Sequence, residues 1–331
     1  MRKPSRIHRG LVGPRQLVGT PYLADAELRR QYDAEIAPRT IAALARILAR
    51  ELPVAAGGRA LIRRALDLGA GTGAAGRAVR AHCGEDVEVV SVDRVPGPGI
   101  IVTDLATVAG GVRSAGVRGR FDLVVAAHFL NELRPDLAWR ARLVQAWCDE
   151  LLDPAGLLVL VEPALRETSR HLLFVRDRLV EAGLFVVAPC FWQGPCPALG
   201  RPRDWCHDTA PSHDASGGSR RVDFSYLVVR QKTVAGLAPA KVNTFASPWR
   251  VVSDPMPDKG RLRLIGCGAS GRHVLSLLTK HRSDENRAFA QAVRGDVMTV
   301  ANAIEAGDGL RLDAGARVIL AAGTFQEGGG Q

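Results

Sequence analysis

A glycine-rich turn after a short apolar run is the part of this sequence best suited to chemistry. Asp67 stands near the end of the run, and three glycines then alternate with Ala and Thr. Glycine allows the backbone angles of a tight turn and lets a ligand approach the main chain closely. N–H groups at the start of the helix that follows can then donate to the ligand. The candidate ligand-binding residues are Asp67, Gly69, Ala70, Gly71 and Gly73.

Two kinds of nucleotide ligand fit this turn. The spacing Gly71-x-Gly73-x-x-Gly76 matches the dinucleotide pattern, whereas Gly69-x-Gly71-x-Gly73 is typical of enzymes that use S-adenosylmethionine. Asp67 lies within the predicted strand, where dinucleotide folds usually have an apolar residue. A second predicted strand ends at Asp93, about 20 positions further on, where a carboxylate can accept both ribose hydroxyls. Together these features favour the methyl donor.

The later strands extend this interpretation. Residues 152–162 read as the end of a helix, a Pro-x-Gly turn and a strand ending in Glu, a step typical of class I methyltransferases. The strand predicted at 121–127 leads into Asn131 and Glu132, which are candidate polar site residues, unless Asn131 only caps the next helix. Neither Pro-Pro-aromatic nor Pro-Cys, the motifs of base-amino and cytosine-ring methylases, follows that strand. Asp104 occupies a position that often contacts the adenine amino group, although a turn acid is the simpler role.

Four of the six cysteines form a second candidate site. Cys190, Cys196 and Cys206 have the spacing C-x5-C-x9-C amid Pro and Gly, and Cys267 is a fourth candidate thiol. An intracellular, reducing setting favours metal over disulfides for clustered thiols. Zinc ribbons prefer C-x2-C pairs, and the common ferredoxin spacings are also absent. The spacing therefore predicts a metal without identifying it, and His207 is the alternative fourth ligand.

The composition limits the class of protein and its partners. The 331 residues are 47% hydrophobic with no long apolar run, which predicts a globular chain that does not enter a membrane. A net charge of +10 fits a nucleic-acid partner. Residues 1–20 carry basic side chains and no acid, a composition that fits either a disordered tail or an arm that binds phosphates. Pro and Gly in that segment argue against a mitochondrial presequence, so the expected location is the bacterial cytoplasm, with the mitochondrial matrix as the alternative.

The alternation of predicted strands and helices indicates an α/β sheet with helices on both faces. We predict a basic arm at 1–20 and a methyltransferase-like domain at 21–232 that contains a metal-binding insertion at 189–221. A small β-rich C-terminal domain follows at 233–331. A connection as long as the insertion is normally functional or disordered.

Several blocks of the sequence resemble one family, the methyltransferase-like assembly proteins of the small ribosomal subunit. The most specific matches are Ala188-Pro189-Cys190, Pro195-Cys196-Pro197 and Asp204-Trp205-Cys206-His207. The resemblance implies a class I S-adenosylmethionine-dependent methyltransferase fold, which is Rossmann-like. It also implies a 4Fe–4S cluster on Cys190, Cys196, Cys206 and Cys267, with zinc as the alternative.

The resemblance further implies binding to small-subunit ribosomal RNA and a role in assembly, with the protein monomeric away from the ribosome. Two other functions stay open on the residues alone. One is an active methyltransferase that acts on ribosomal RNA. The other is a small-molecule methyltransferase with a structural zinc.

Overall fold

The computed structural model describes residues 5–52, 62–105, 113, 115–133, 136–213, 219–231 and 246–321. The chain divides into two compact units. Unit 1 comprises residues 1–187 and 209–234, and unit 2 comprises residues 188–208 and 235–331. The first part of the predicted insertion, which the sequence places in the methyltransferase-like domain, thus groups with the C-terminal residues. Residues 1–4, 214–218 and 232–245, where parts of the predicted arm, insertion and domain boundary fall, lie outside the described residues.

Unit 1 begins with three helices, α1 (Arg6–Val12), α2 (Ala26–Glu35) and α3 (Ala37–Glu51), and a short 3₁₀ turn at Tyr22–Ala24. Ser5 and Asp25 cap α1 and α2 by accepting backbone N–H groups of the first turns. The side chain of Ile7 is fully buried in a cluster with Leu23, Leu28 and Tyr32. The segment with the composition of a basic arm is therefore folded from α1 onward.

The strands of unit 1 form a mixed sheet of class I methyltransferase topology. They are β1 (Arg64–Leu68), β2 (Glu88–Asp93), β3 (Ile100–Val102), β4 (Phe121–Ala127), β5 (Leu152–Pro163), β6 (Phe185–Ala188), β7 (Asp208–His213) and β8 (Ser219–Arg230). Their order is β3-β2-β1-β4-β5-β8-β6, and β7 pairs with β8. The pairs from β3 to β5 are parallel, and β8 runs antiparallel to β5. This order confirms the predicted fold class.

Among the described residues, the helices α4 (Ala74–Cys83), α5 (Leu137–Leu151) and α6 (Arg166–Glu181) cover this sheet. Helix α3 packs on α4, and α5 packs on α6. The central strands are buried along most of their length, as the runs Leu123–Ala126 and Leu158–Glu162 show. Continuous apolar runs are what a strand covered on both faces requires. The carboxyl ends of the parallel strands are therefore held in fixed positions.

Unit 2 contains a second eight-stranded sheet. Its strands are β9 (Ala246–Val251), β10 (Met256–Asp258), β11 (Arg261–Gly268), β12 (Gly271–Leu278), β13 (Val297–Ala301), β14 (Ile304–Ala306), β15 (Gly309–Leu312) and β16 (Arg317–Leu320). Two 3₁₀ segments lie at Thr279–His281 and Asp284–Ala290. The order is β14-β15-β12-β11-β9-β13-β16, with β10 on β11. The predicted β-rich appendage is confirmed.

The strict alternation of β11 builds the core of unit 2. Leu262 and Leu264 are buried, and Gly266 and Gly268 occupy the next inward positions. A Cβ atom at Gly268 would lie 2.8 Å from the ring of Trp249, which is 4% exposed. Glycine is therefore needed there because the indole already fills the space. The outward positions of the same strand include Cys267.

Candidate functional site

A cavity of about 270 Å³ opens in unit 1 where β1, β2, β3 and β4 end. Ligands of open α/β sheets bind at this edge, beyond the carboxyl ends of the strands. The volume is close to the lower end of the range for small-molecule sites, about 300 Å³. The lining residues that bear on its chemistry are Gly69, Gly71, Asp93, Asp104, His128 and Glu132.

The glycine turn has the conformation that its sequence predicts. Gly69, Gly71 and Gly73 all have positive φ angles, +74°, +56° and +78°. A Cβ atom on Gly69 would lie 2.4 Å from the ring of Phe129. Gly73 directly precedes α4, so the turn leads into the helix start. A larger residue at any of the three positions would strain the backbone, and at Gly69 it would also collide with Phe129.

Asp93 lies at the cavity and holds the turn in place. One carboxylate oxygen accepts the N–H of Gly71 at 2.8 Å, and the other accepts the N–H of Val95 at 2.8 Å. The side chain lines the cavity although the residue is only 8% exposed. Each carboxylate oxygen has a further lone pair. Asp93 can therefore accept ribose hydroxyls while it keeps both backbone contacts.

Asp67 is placed beneath the turn rather than in the cavity. It is 2% exposed, and its Oδ2 accepts the N–H of Gly76 at 3.0 Å. Its Oδ1 is buried without a hydrogen-bond partner among the described residues. Burial raises the pKa of Asp67 to about 7. Asp67 thus positions the glycine turn and the start of α4, and Ala70 and Gly73 likewise shape the turn without lining the cavity.

The two candidates from the later strands have different positions. Asp104 lines the cavity together with Thr103 and Leu105, just after β3. Asn131 does not line the cavity. Its Oδ1 accepts a hydrogen bond from the guanidinium group of Arg15 at 2.6 Å, and its Nδ2 donates to the carbonyl of His128 at 2.8 Å. Asn131 therefore fixes the 3₁₀ turn at Leu130–Glu132 to the N-terminal segment.

That N-terminal segment forms part of the cavity wall, which the sequence did not indicate. Gly19, Thr20 and Tyr22 line the cavity. The phenol of Tyr22 donates to the carboxylate of Glu132 at 3.0 Å, and the Arg94 guanidinium donates to the carbonyls of Gly19 and Thr20. These contacts join residues that are far apart in the chain, so no local spacing could reveal them. A ligand in the cavity would therefore contact this segment.

Two titratable residues that follow β4, His128 and Glu132, line the cavity. His128 has a φ of +57°, and its Nδ1 has no hydrogen-bond partner within the described residues. Burial lowers the pKa of His128 to about 4, so the imidazole is neutral at pH 7. Burial raises the pKa of Glu132 to about 7, against the opposing effects of Tyr22 and Arg94. At pH 7 this end of the cavity therefore combines a neutral imidazole with a carboxyl group that is about half ionised and lies 3.4 Å from the Arg94 guanidinium.

Glu162, at the end of β5, supports the same turn from below. It is 2% exposed, and its Oε1 accepts the N–H of Leu130 at 2.8 Å. Burial raises the pKa of Glu162 to about 8, although backbone contacts and Arg140 act in the opposite direction. The sequence predicts Glu162 only as the end of a strand motif. The structure shows that its carboxyl group holds the 3₁₀ turn through the backbone N–H of Leu130.

These buried carboxyl groups predict that stability falls as pH rises. Since their pKa values are raised, the folded chain holds protons that the unfolded chain releases above about pH 4.5. Each group can lower the unfolding free energy by up to about 1.4 kcal/mol per pH unit until its folded pKa is reached. We expect Glu162→Gln, which is always neutral and keeps an acceptor for Leu130, to flatten the profile between about pH 5 and pH 8. Urea unfolding of the wild type and the variant across that pH range measures the unfolding free energy. An unchanged slope of that free energy against pH in the variant would contradict the prediction.

The four candidate thiols all belong to unit 2. Burial raises the pKa of the Cys206 thiol well above its ordinary value, and the thiols of Cys267, Cys190 and Cys196 raise it further. The four side chains are therefore electrostatic neighbours. Within the described ranges, no group of three or more His, Cys, Asp or Glu side chains has the arrangement of a metal site.

Two arginines fix the segment 189–207, here called the cysteine loop, to the sheet of unit 2. Arg250 on β9 is 3% exposed, and it donates to the carbonyls of Pro189 at 3.3 Å and Gly295 at 3.0 Å. Arg272 on β12 pairs with the carboxylate of Asp204 at 2.6 Å. The loop groups with unit 2 because of contacts of this kind. They explain why Cys267, on β11, is near the thiols of the loop.

The other two cysteines are located differently. Cys148 is fully buried in α5, and Cys83 is half-buried at the end of α4. Burial raises the pKa of both thiols. A buried thiol of this kind acts as a small apolar side chain.

This chain is similar to solved methyltransferase structures at low sequence identity. A proposed RNA methyltransferase from Pyrococcus horikoshii is 15% identical, with a TM-score of 0.33 over 59% of this chain and 81% of that one. The plantazolicin methyltransferase BpumL in complex with SAH is 12% identical, with a TM-score of 0.34 over 54% and 63%. The fold assignment rests on the strand order and not on these low scores. No match to a curated protein was found.

No helix in the described part of the chain is both long and apolar enough to cross a membrane. A family model described as mitochondrial small ribosomal subunit Rsm22 matches residues 29–311, which include the glycine turn, the cysteine loop and most of the second sheet. Because the match extends over more than half of the sequence, this chain belongs to the Rsm22 family.

Proposed function

We propose that this protein binds the RNA of the small ribosomal subunit and assists its assembly, and that it retains an S-adenosylmethionine pocket. Membership of a family described as a small ribosomal subunit component is the observation that carries the proposal. The net charge of +10 supports an RNA partner. We place this function in the bacterial cytoplasm, with the protein monomeric away from the ribosome; the mitochondrial matrix is the alternative, since the matching family model is described as mitochondrial.

The cavity of unit 1 supports the methyl-donor part of the proposal. The glycine turn, Asp93 and Asp104 provide the backbone donors and carboxylates that a nucleoside with two free ribose hydroxyls requires. Asp93 accepts from the ribose, and Asp104 accepts from the adenine amino group. Gly69 and Gly71 let the methionine part approach the main chain.

The thiols support a 4Fe–4S cluster held by Cys190, Cys196, Cys206 and Cys267. The donor set fits the group, because four cysteine thiolates are the usual ligands of such a cluster. The four residues share one unit, and Arg250 and Arg272 bind the cysteine loop to the sheet that bears Cys267. In this role the cluster would stabilise the loop. Zinc on the same thiols is the alternative, and iron and sulfide assays after anaerobic purification separate the two.

A second candidate function is methyl transfer to ribosomal RNA. The polar end of the cavity favours it, since His128 presents a neutral imidazole and Glu132 a carboxyl group that titrates near neutral pH. Transfer of tritiated methyl groups to small-subunit RNA tests this function. A small-molecule methyltransferase with a structural zinc requires instead that the protein bind neither ribosomal RNA nor iron.

Co-sedimentation with the small subunit tests the proposed function directly. The full chain should sediment with immature small subunits at low salt and dissociate as the salt concentration rises. Absence from the subunit fraction at low salt, together with no affinity for its RNA, would overturn the proposal.

Exposed cations of unit 2 should contribute phosphate contacts. Lys280, Arg282 and Arg287 are exposed in and beside its 3₁₀ segments. We expect their joint replacement by Gln to weaken RNA binding and to reduce the slope of log affinity against log salt. For each phosphate that is no longer neutralised, the slope should fall by about 0.7 on single strands and by about 0.9 on a duplex. Fluorescence anisotropy over a salt series measures it.

A variant of equal net charge serves as the control for this prediction. Arg30, Arg77 and Arg178 are exposed on helices of unit 1. Their joint replacement by Gln removes the same charge from another surface. If both triple variants change the slope equally, the effect comes from net charge and not from phosphate binding by unit 2.

A further inference from the structure

The cysteine loop exposes an indole ring. Trp205 is 37% exposed, and its ring stacks on the imidazole of His207 with centroids 6.0 Å apart and an interplanar angle of 23°. The indole N–H makes no hydrogen bond to any residue that the structure describes. A large aromatic side chain that is held in one orientation but not covered by the protein is suited to contact a partner.

A second tryptophan in the same loop provides a contrast. The indole N–H of Trp192 donates to the carbonyl of Pro195 at 2.8 Å. Its ring also fills the space beside Gly194, where a Cβ atom would lie 2.3 Å from it. Trp192 therefore has a structural role within the loop. The indole N–H of Trp205 has no such acceptor among the described residues, so the outward position of this ring needs another explanation.

The position of Trp205 is fixed by its neighbours. The N–H of Asp204 donates to the carbonyl of Arg201 at 3.1 Å, which closes a turn directly before Trp205. The carboxylate of Asp204 pairs with Arg272 on β12 at 2.6 Å. The indole is thus attached to the sheet through its preceding residue. A ring that is ordered before binding loses little conformational entropy when a ligand stacks on it.

Positive charge accompanies the ring. Arg201 and Arg203, in the turn before Trp205, are both exposed. Single-stranded nucleic acids bind where aromatic rings accept stacked bases and cationic side chains follow the phosphates. The combination of an exposed indole, a stacked imidazole and two neighbouring arginines has this character. A protein partner would not need the arginines beside the ring.

We propose that Trp205 is a base-stacking site for an unpaired RNA nucleotide, with Arg203 and Arg201 contacting the adjoining phosphates. This inference rests on the proposed RNA binding and adds the kind of RNA that unit 2 recognises, which is a single-stranded segment. The cysteine loop then has two roles, because it carries thiols and presents a nucleotide-binding surface.

The test uses the full chain with a fluorescein-labelled single-stranded oligouridylate and a duplex RNA of equal length. We expect Trp205→Ala to lower affinity for the single strand about 5- to 150-fold, the range for loss of one stacked base. Trp205→Phe should retain most of the affinity, since a phenyl ring still stacks. Duplex affinity and the salt slope should not change with either variant. Arg203→Gln should reduce the single-strand salt slope by about 0.7.

Trp139→Ala, which removes a partly exposed indole from α5 of unit 1, is the matched control and should leave both affinities unchanged. Equal thermal unfolding of all variants excludes misfolding as the cause. If the wild type binds the RNAs but Trp205→Ala binds the single strand equally well, the stacking site is wrong while RNA binding stands. If Trp205→Ala instead loses only a ribosomal protein from the assembling subunit, the surface binds protein. If the wild type binds no RNA, the proposed function itself fails.

Discussion

Serine in place of Cys267 is expected to abolish the proposed iron–sulfur cluster and to release the cysteine loop from the sheet of unit 2. Thiolate metal sites contribute on the order of 10 kcal/mol of folding free energy. This is comparable with the whole stability of a domain, about 5–15 kcal/mol. Arg250 and Arg272 still bind the loop in the variant, but a few hydrogen bonds of about 1–3 kcal/mol each do not replace that contribution. Iron and sulfide content, visible absorbance and limited proteolysis measure the result.

The same substitution at Cys190, Cys196 and Cys206 should have an equal effect, because the proposed cluster needs all four thiols as ligands. Cys83→Ser and Cys148→Ala are the internal controls and should keep full iron content, since these residues lie in helices of unit 1. Retention of iron and of the proteolysis pattern by Cys267→Ser would contradict the four-thiol site. His207 would then be the next candidate ligand.

Alanine in place of Asp93 is expected to weaken S-adenosylmethionine binding by at least tenfold. Hydrogen bonds to charged groups contribute about 1.5–3 kcal/mol each, and about 1.4 kcal/mol corresponds to tenfold in affinity. The variant has no carboxylate for the ribose hydroxyls, and it also leaves the N–H groups of Gly71 and Val95 without their acceptor. Both changes act on the same cavity, so the effect should exceed that of a single missing hydrogen bond.

Calorimetry measures this prediction, with Asp93→Asn as the conservative variant. The amide keeps one carbonyl oxygen, so it should retain one backbone hydrogen bond and an intermediate affinity. Asp122 does not line the cavity, and its carboxylate accepts hydrogen bonds from the backbone N–H groups of Arg63 and Arg64. Asp122→Asn should therefore bind S-adenosylmethionine like the wild type. Absence of heat for the wild type would remove the methyl donor from the proposal, and tight NAD binding would replace it.

The sequence by itself predicts those features of the fold that depend on residues close together in the chain. The glycine turn with Asp93 at the next strand end could be located because positive φ angles and the strand–turn–helix order are local requirements. The apolar runs of β4 and β5 likewise predict buried strands, since a strand covered on both faces has no polar alternation. The fold class therefore followed from the order of such segments.

Only the tertiary structure decided which of these residues share a surface. Asp67 is close to Gly71 in sequence, yet it lies beneath the turn, because its strand is buried. The segment around Tyr22 is far from Glu132 in the chain but forms the same cavity wall. The cysteine loop is inserted between strands of unit 1 and belongs to unit 2, because side chains such as Arg250 and Arg272 bind it there. Long-range contacts of this kind produce no recognisable pattern in the sequence, because each of them depends on how elements from distant parts of the chain pack together.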